Sequence, residues 1–466
     1  DHRDLHSFPT RRSSDLTFLH LCRSIAASPF SVVLLSGGHP GAGQENRFSL
    51  AAWNPFATLR TKGSRCLWCS PEENLVRSSN ALTLLDEMWG RFIPEEGELP
   101  DSLPFAGGAL GYAAYDLKNS IEALPQTAVD DLGLPDLLLI WPRNLVLHDR
   151  QDSSLHKITL HYEGDPKPGG SQDWLGDLAE SSFPTLETGP LCSNFTREAY
   201  LQAVARARHY IREGDIYQVN LSQRFTFPFK GDPFQLWWAL FRMNPAPFYA
   251  FVNGGDHQVL STSMERFLYR RGESIETRPI KGTRKRGATM EEDNALMAEL
   301  RTDPKEDAEL SMIVDLLRND LGRICRPRSI RVAEHKRLES YQNVHHLVSI
   351  IRGELRSGTT YGDILRSTFP GGSITGCPKI RAMEIIDELE PCVRHVYTGS
   401  IGYLGWHANM DLNIAIRTVL ACNGHCYFSV GGGIVYDSSE EAEYEETLHK
   451  GRTLFQLMER LNRRRA

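Results

Sequence analysis

The sequence predicts a protein of mixed strand and helix, strand-rich in its first third and with amphipathic helices set between strands thereafter. Three observations carry this. Residues 17–165 hold strand-length runs such as FSVVLLSG and GGALGYAAYD and a hairpin-like pair, NLVLHD and LHKITLHY. Residues 163–190 are dense in Gly, Pro and Ser, as a linker or surface crossover is. Beyond them, apolar residues recur at helical spacing.

Asp1 to Leu16, DHRDLHSFPTRRSSDL, match residue for residue the translation of a common short-read sequencing adapter. They are expected to be foreign to the natural protein, whose own start and any targeting signal then lie outside this sequence. The organisation expected of the rest is an N-terminal region over 17–165, a linker over 166–194 and a catalytic region over 195–460. The 466 residues suffice for two or three average domains or one large interwoven one.

In the catalytic region, Thr196 can cap a helix whose stripe is Tyr200, Ala203, Val204, Ala207 and Ile211, with Gly214 ending it. A second helix, DPKEDAELSMIVDLLRNDLG, buries Leu310, Ile313, Val314, Leu317 and Leu321 and carries Glu306 and Glu309 three apart near its start. A third, DSSEEAEYEETLHKGRTLFQLMERL, has Ser438 or Ser439 as its cap and Glu443, Glu446 and Lys450 on one face. Acids also favour helix N-terminal turns for purely local reasons. Two such edges brought together would nevertheless offer hard oxygens suited to Mg²⁺. Glycines precede helices twice, at Gly431 to Gly433 and at Gly371, Gly372 and Gly376, where backbone amides could approach an anion.

Composition narrows the function classes. Net charge is −7 with 41% hydrophobic residues, an ordinary soluble balance without the basic excess of a nucleic-acid binder. No apolar run reaches the roughly 18 residues that cross a bilayer, so a cytoplasmic enzyme is expected. Nine scattered cysteines argue for reduced thiols. Cys66, Cys69, Cys422, His425 and Cys426 could be forced into a zinc site. Asn423-Gly424 between alternating runs reads better as a hairpin tip.

The motifs GDIYQVNLSQRF, NPAPFYAF, STSMERFL, RPIKGTRKRG, LLRNDLGR, HHLVS, GGSITGCPK, GYLG, NIAIRT and GGGIVYDSSEEAEYEET, spread over residues 195–455, together resemble the chorismate-utilising enzymes. Residues 17–165 resemble that family's N-terminal region more loosely. The likeness implies an α+β fold of two large antiparallel sheets packed as a sandwich with outer helices. Anthranilate synthases have alanine in the slot of Lys281, whereas aminodeoxychorismate synthases have lysine. The lysine therefore implies amination at C4 of chorismate, on the way to 4-aminobenzoate and folate. An anthranilate synthase with an atypical lysine is the alternative. A Schiff-base or pyridoxal phosphate enzyme and a non-catalytic anion binder are more distant ones.

The resemblance also implies roles. Glu309 and Glu446 match Mg²⁺ ligands, supported by Glu306 and Glu443 through metal-bound water. Arg417 and Tyr397 match groups that hold the enolpyruvyl carboxylate, with amides near Gly432 and Gly433. Ser373, Gly282 and Thr283 match residues around the ring and its carboxylate. His346, Glu265 and Lys450 match polar groups near the reacting carbons, and Lys281 a covalent nucleophile. A dianionic substrate fits Arg and Lys with a Lewis-acidic metal. Glu265 could be a carboxylic acid of raised pKa. Four cations close in sequence to Lys281, namely Arg278, Arg284, Lys285 and Arg286, would favour its free amine. The chain shows no Gly-x-Cys-x-Gly glutaminase nucleophile, so ammonia is expected from a separate glutamine amidotransferase subunit in a heterodimer. Ser36 and Arg47 resemble the segment where relatives bind tryptophan, with Leu35 where feedback-inhibited anthranilate synthases have Glu.

Removing residues 1–16 is expected to leave soluble yield and melting temperature unchanged. Loss of soluble protein in that truncation would contradict the adapter reading.

Overall fold

In the computed structural model, residues 13–37, 46–92, 103–161, 186–340 and 344–463 are described. The helices among them are α1 (Ser13–Ala26), α2 (Ala81–Trp89), α3 (Arg197–Arg212), α4 (Pro233–Met243), α5 (Met290–Thr302), α6 (Pro304–Gly322), α7 (Tyr361–Thr368), α8 (Lys379–Leu389) and α9 (Glu440–Arg463). The described strands number 22 and join one hydrogen-bonded network, with its long pairings antiparallel.

Alternation along the strands sorts their side chains between layers, because successive residues point to opposite faces. Val32, Leu50, Ala52, Ala250 and Val252 enter a core made of strand and loop residues alone. Their neighbours Val33, Leu35, Ala51, Tyr249 and Phe251 face a second core, shared with Phe18 and Leu21 of α1, Trp237 of α4 and Leu457 of α9. A third core takes α2, α3, α6, α7 and α8. A core walled only by sheet, with helices on the outer faces, is the expected α+β sandwich. Its two layers are not separate sheets, because hydrogen bonds run continuously from one into the other.

The two halves of the sequence are interleaved. Strand Val32–Leu35 pairs with Phe248–Asn253, and Gly108–Ala113 pairs with Ser400–Gly405. Most of the expected linker lies outside the described residues. Its end does not, since Glu187–Thr188 and Cys192–Ser193 pair with strand Gln218–Lys230.

Local signals act as expected. Thr196 Oγ1 accepts from the Ala199 amide at the start of α3, and Tyr200, Ala203, Val204 and Ala207 are buried. Residues Leu310, Ile313, Val314, Leu317 and Leu321 of α6 are buried. Ser439 caps α9 by accepting from the Ala442 amide, while Ser438 donates to Glu443. Asn423 and Gly424 have φ of +50° and +72° and close a two-residue hairpin between Thr418–Cys422 and His425–Ile434. All nine cysteines are free thiols, and among the described residues no His, Cys, Asp or Glu cluster forms a zinc site. No described helix is long and apolar enough to cross a membrane.

Helix α1 starts inside the first sixteen residues, where Asp15 lies 3.2 Å from His148. Its buried apolar face begins only at Phe18.

Candidate active site

Strand Ile280–Lys285 carries Lys281 and pairs with Val344–Glu354. The register slips by one residue between Lys281 and Thr283, a bulge at Gly282 with φ +74°. A side chain there would come within 2.8 Å of Leu300 and 3.2 Å of Glu306. The extra residue brings Thr283 opposite His346, where Thr283 Oγ1 lies 2.9 Å from His346 Nδ1. Lys281 Nζ is 3.7 Å from Glu309 Oε2. Gly432 and Gly433, in strand His425–Ile434, complete the surroundings. A Cβ on Gly433 would lie 3.4 Å from Lys281 Nζ, and one on Gly432 would lie 2.9 Å from Glu443 Oε2 and 3.4 Å from Glu446 Oε1. Lys450 Nζ sits 2.6 Å from Glu446 and donates to the Gly431 carbonyl.

Glu265 is buried between strands, and Ser373 Oγ donates to its Oε1 at 2.8 Å. Burial pushes its pKa up to about 7, opposed by the Ser373 bond and by the positive charges of Lys281 and Lys450. His346 is driven the other way, down to about 4, by burial and then by the Arg417 cation. It is therefore neutral at physiological pH. Glu306 is raised by burial and by the charge of Glu309, so the α6 acids form a site with excess negative charge. Arg417 has φ +50°, and its carbonyl accepts from Thr262. Among the described residues no carboxylate pairs with its guanidinium, and burial lowers its pKa. Tyr397 is buried nearby in sequence to two left-handed residues, His395 and Thr398.

The structure thus brings Lys281, Glu309, Gly433, Thr283 and His346 into one place, and Glu265 beside Ser373. It joins Glu443, Glu446 and Lys450 to the same glycine strand. Among the described residues no three carboxylates close on a single point. One sequence expectation needs correction. The four cations near Lys281 in sequence are directed elsewhere: Arg284 to Glu299, Asp303 and Glu306, Arg286 to Asp293, Arg278 to Glu276, and Lys285 outward. The charged group beside Lys281 is a carboxylate. At Gly371, Gly372 and Gly376 added side chains would collide with Ile414, Leu316 and the Gln218 carbonyl, so these glycines allow close packing beside Ser373.

Gln218 escaped the sequence reading. It is fully buried, neither polar atom of its amide has a partner among the described residues, and Gly433 faces its Nε2. A polar residue alternating with Val219 and Leu221 was the available signal.

Apart from this site, Ser36 and Arg47 line a cavity of about 190 Å³ with Leu50, Phe248, Arg266 and Asp411. Ser36 Oγ donates to the Phe48 carbonyl and Arg47 pairs with Asp149.

Residues 39–456 match the family of chorismate binding enzymes. The chain belongs to that family. It is 43% identical over 439 residues to aminodeoxychorismate synthase component 1 of Klebsiella aerogenes, covering 93% of this chain and 95% of that one. To anthranilate synthase component 1 of Thermus thermophilus it is 42% identical, over 90% of each chain. The crystal structure of anthranilate synthase component I from Streptococcus pneumoniae superposes with a TM-score of 0.77 at 32% identity, covering 88% of this chain and 92% of that one.

The Glu265 environment makes stability depend on pH. The folded protein keeps this proton up to about pH 7, whereas an unfolded glutamate ionises near pH 4.3. Between those values the folded state binds more protons, so this contribution is complete below the lower pKa and is lost as pH rises through the upper one. Urea denaturation should show Glu265→Gln gaining stability relative to wild type as pH rises from about 5 to about 8. A difference that stays flat would mean that Glu265 is ionised in the fold.

Proposed function

We propose that this protein makes 4-amino-4-deoxychorismate from chorismate and ammonia, as the names of its aminodeoxychorismate synthase relatives suggest. Overall identity does not separate this reading from anthranilate synthesis, at 43% against 42%. The observation that carries it is Lys281, an amine set among Glu309, Gly433 and Gln218 where a substrate ring would lie. The lysine implies that nitrogen goes to C4.

In this reading Arg417, whose guanidinium has no carboxylate partner among the described residues, takes the enolpyruvyl carboxylate together with Tyr397 and the amides near Gly432 and Gly433. Ser373, Gly282 and Thr283 bound the ring. The Lys281 amine attacks C2, electrons move through the diene, and the C4–O bond breaks. Glu265, protonated near neutral pH, delivers its proton so that water leaves. Ammonia then adds at C4, the electrons return, and the C2–N bond to Lys281 breaks. The ammonium formed at C4 gives a proton back to Glu265. Neutral His346, held by Thr283, and Lys450, beside Glu446, would orient these transfers.

The donor set fits a magnesium ion. Glu309 and Glu446 would hold it, with Glu306 and Glu443 behind, and the pKa of Glu306, raised by burial and by the charge of Glu309 against the opposing Arg284, reflects a repulsion between acids that a cation would relieve. Bound there, the ion supplies Lewis acidity at the ring carboxylate. Ammonia would come from a glutamine amidotransferase partner, which the "component 1" in the relatives' names implies. We assign the cavity behind Ser36 and Arg47 to an aromatic amino acid such as tryptophan, since its wall mixes apolar surface with Arg266 and Asp411.

Incubation with chorismate, Mg²⁺ and ammonium should give 4-amino-4-deoxychorismate, and anthranilate as sole product would overturn the reading. Lys281→Ala should lose most of that product, roughly 10²-fold or more. Wild type quenched without ammonia should show an adduct on the Lys281 peptide. Mg²⁺ and tryptophan should each raise the melting temperature in a concentration-dependent way. Glu309→Gln should weaken only the Mg²⁺ effect, and an unchanged Mg²⁺ response would remove Glu309 from the metal site.

A further inference from the structure

A buried charge pair outside the assigned site ties together three segments that carry it. Arg394 and Glu390 are 4% and 5% exposed, so neither charge is relieved by water. Arg394 uses all five of its N–H donors. Its Nε donates to Glu390 Oε2 at 2.8 Å and its Nη2 to Glu390 Oε1 at 2.6 Å. The remaining donors reach the Asn220 carbonyl at 2.7 Å, the Ile374 carbonyl at 3.0 Å and Thr398 Oγ1 at 3.3 Å. Glu390 Oε1 in turn accepts from the Ser222 amide and hydroxyl.

Each of those contacts ends within four residues of a group already placed in the site. Asn220 and Ser222 lie on the strand of Gln218, Ile374 follows Ser373, and Thr398 follows Tyr397. The turn is also one the backbone would not adopt unaided. His395 and Thr398 are left-handed at +52° and +60°, a conformation that costs a non-glycine residue on the order of 1 kcal/mol or more. The Arg394 bond to Thr398, the Thr398 bond to the Tyr397 carbonyl, and the His395 amide on Asp116 hold it in place. The guanidinium stands 4.8 Å from the Tyr115 ring and 5.9 Å from the Tyr397 ring.

We infer that Arg394, oriented by Glu390, is a positioning residue for chorismate amination: it sets the Tyr397 turn against the Ser373 loop and the Gln218 strand so that the substrate carboxylate meets Tyr397. The inference rests on the chorismate reading of the site. Lysine cannot replace it, because an ammonium keeps the charge but not the planar five-donor fork.

The test is a double-mutant cycle of Arg394→Lys and Tyr397→Phe, read as kcat/KM for chorismate alongside thermal unfolding. Arg394→Lys should fold cooperatively and lose about 10²-fold, the cost of a small misplacement at a reacting centre. Tyr397→Phe alone should lose about tenfold. In the double variant the second change should cost little more, because the hydroxyl is already misplaced. Multiplicative losses would show that Arg394 does not act through Tyr397 and would overturn the inference. If Arg394→Lys does not fold, Thr398→Val takes its place, removing one Arg394 contact while leaving the Glu390 pair. Failure of both to fold would make the cluster a folding element and likewise overturn it. A wild-type protein without chorismate turnover would overturn the site reading itself, which distinguishes the two failures.

Discussion

The pairing of strand Gln218–Lys230 with His425–Ile434 is the constraint on which the rest depends. It runs through ten residue pairs from Val219↔Ile434 to Pro228↔His425. A slip of one residue would reverse the faces, taking Gln218 out of the site and putting Val219 in its place. The same strand takes up the end of the linker, meets the Gly376–Cys377 bridge and lends its Asn220 carbonyl to Arg394. The glycines of the facing strand are part of this constraint. With side chains, positions 432 and 433 would fill the space before Glu443 and before Lys281.

Around that ladder, among the described residues, most cations meet acids, and Arg417 does not. Lys281 leans on Glu309, Lys450 on Glu446 and Arg284 on three acids, whereas no described carboxylate pairs with Arg417. A half-buried arginine without a carboxylate counter-ion is favourably completed by an anionic ligand. Glu265 meets the opposite problem. Burial makes its charged form expensive, and the two lysines are not close enough to offset this, so it holds a proton near neutral pH. Two groups of opposite need, one awaiting an anion and one keeping a proton, suit a dianionic substrate from which a hydroxyl must depart.

The N-terminal half is structurally inseparable from this chemistry. It pairs strands with the catalytic half at two edges and sends Asp116 and Tyr115 to the turn beneath Tyr397. Arg224 on the central strand pairs with Asp131. The cavity at Ser36 and Arg47 shares Arg266 with the strand that follows Glu265.

Local chemistry is written in short stretches, and the sequence alone determined what depends on neighbours a few residues apart. The Thr196 cap, the buried stripe of α6, the Asn423-Gly424 hairpin and the Glu-x-x-Glu edges follow from helical period, capping and turn preference. The motifs spread over residues 195–455 were together enough to suggest the chorismate-utilising enzymes. What spans hundreds of residues was decided only by the tertiary structure. Gln218 lies 63 residues before Lys281 in sequence, and nothing local says that its face of the strand is interior. Arg278, Arg284 and Arg286 looked like neighbours of the Lys281 amine, yet strand direction and the Gly282 bulge turn them toward acids elsewhere. The five-donor role of Arg394 was equally out of reach, since its acceptors come from segments 174 and 20 residues away and from its own turn. Proximity in sequence sets backbone conformation, whereas which charges meet is a property of the packed chain.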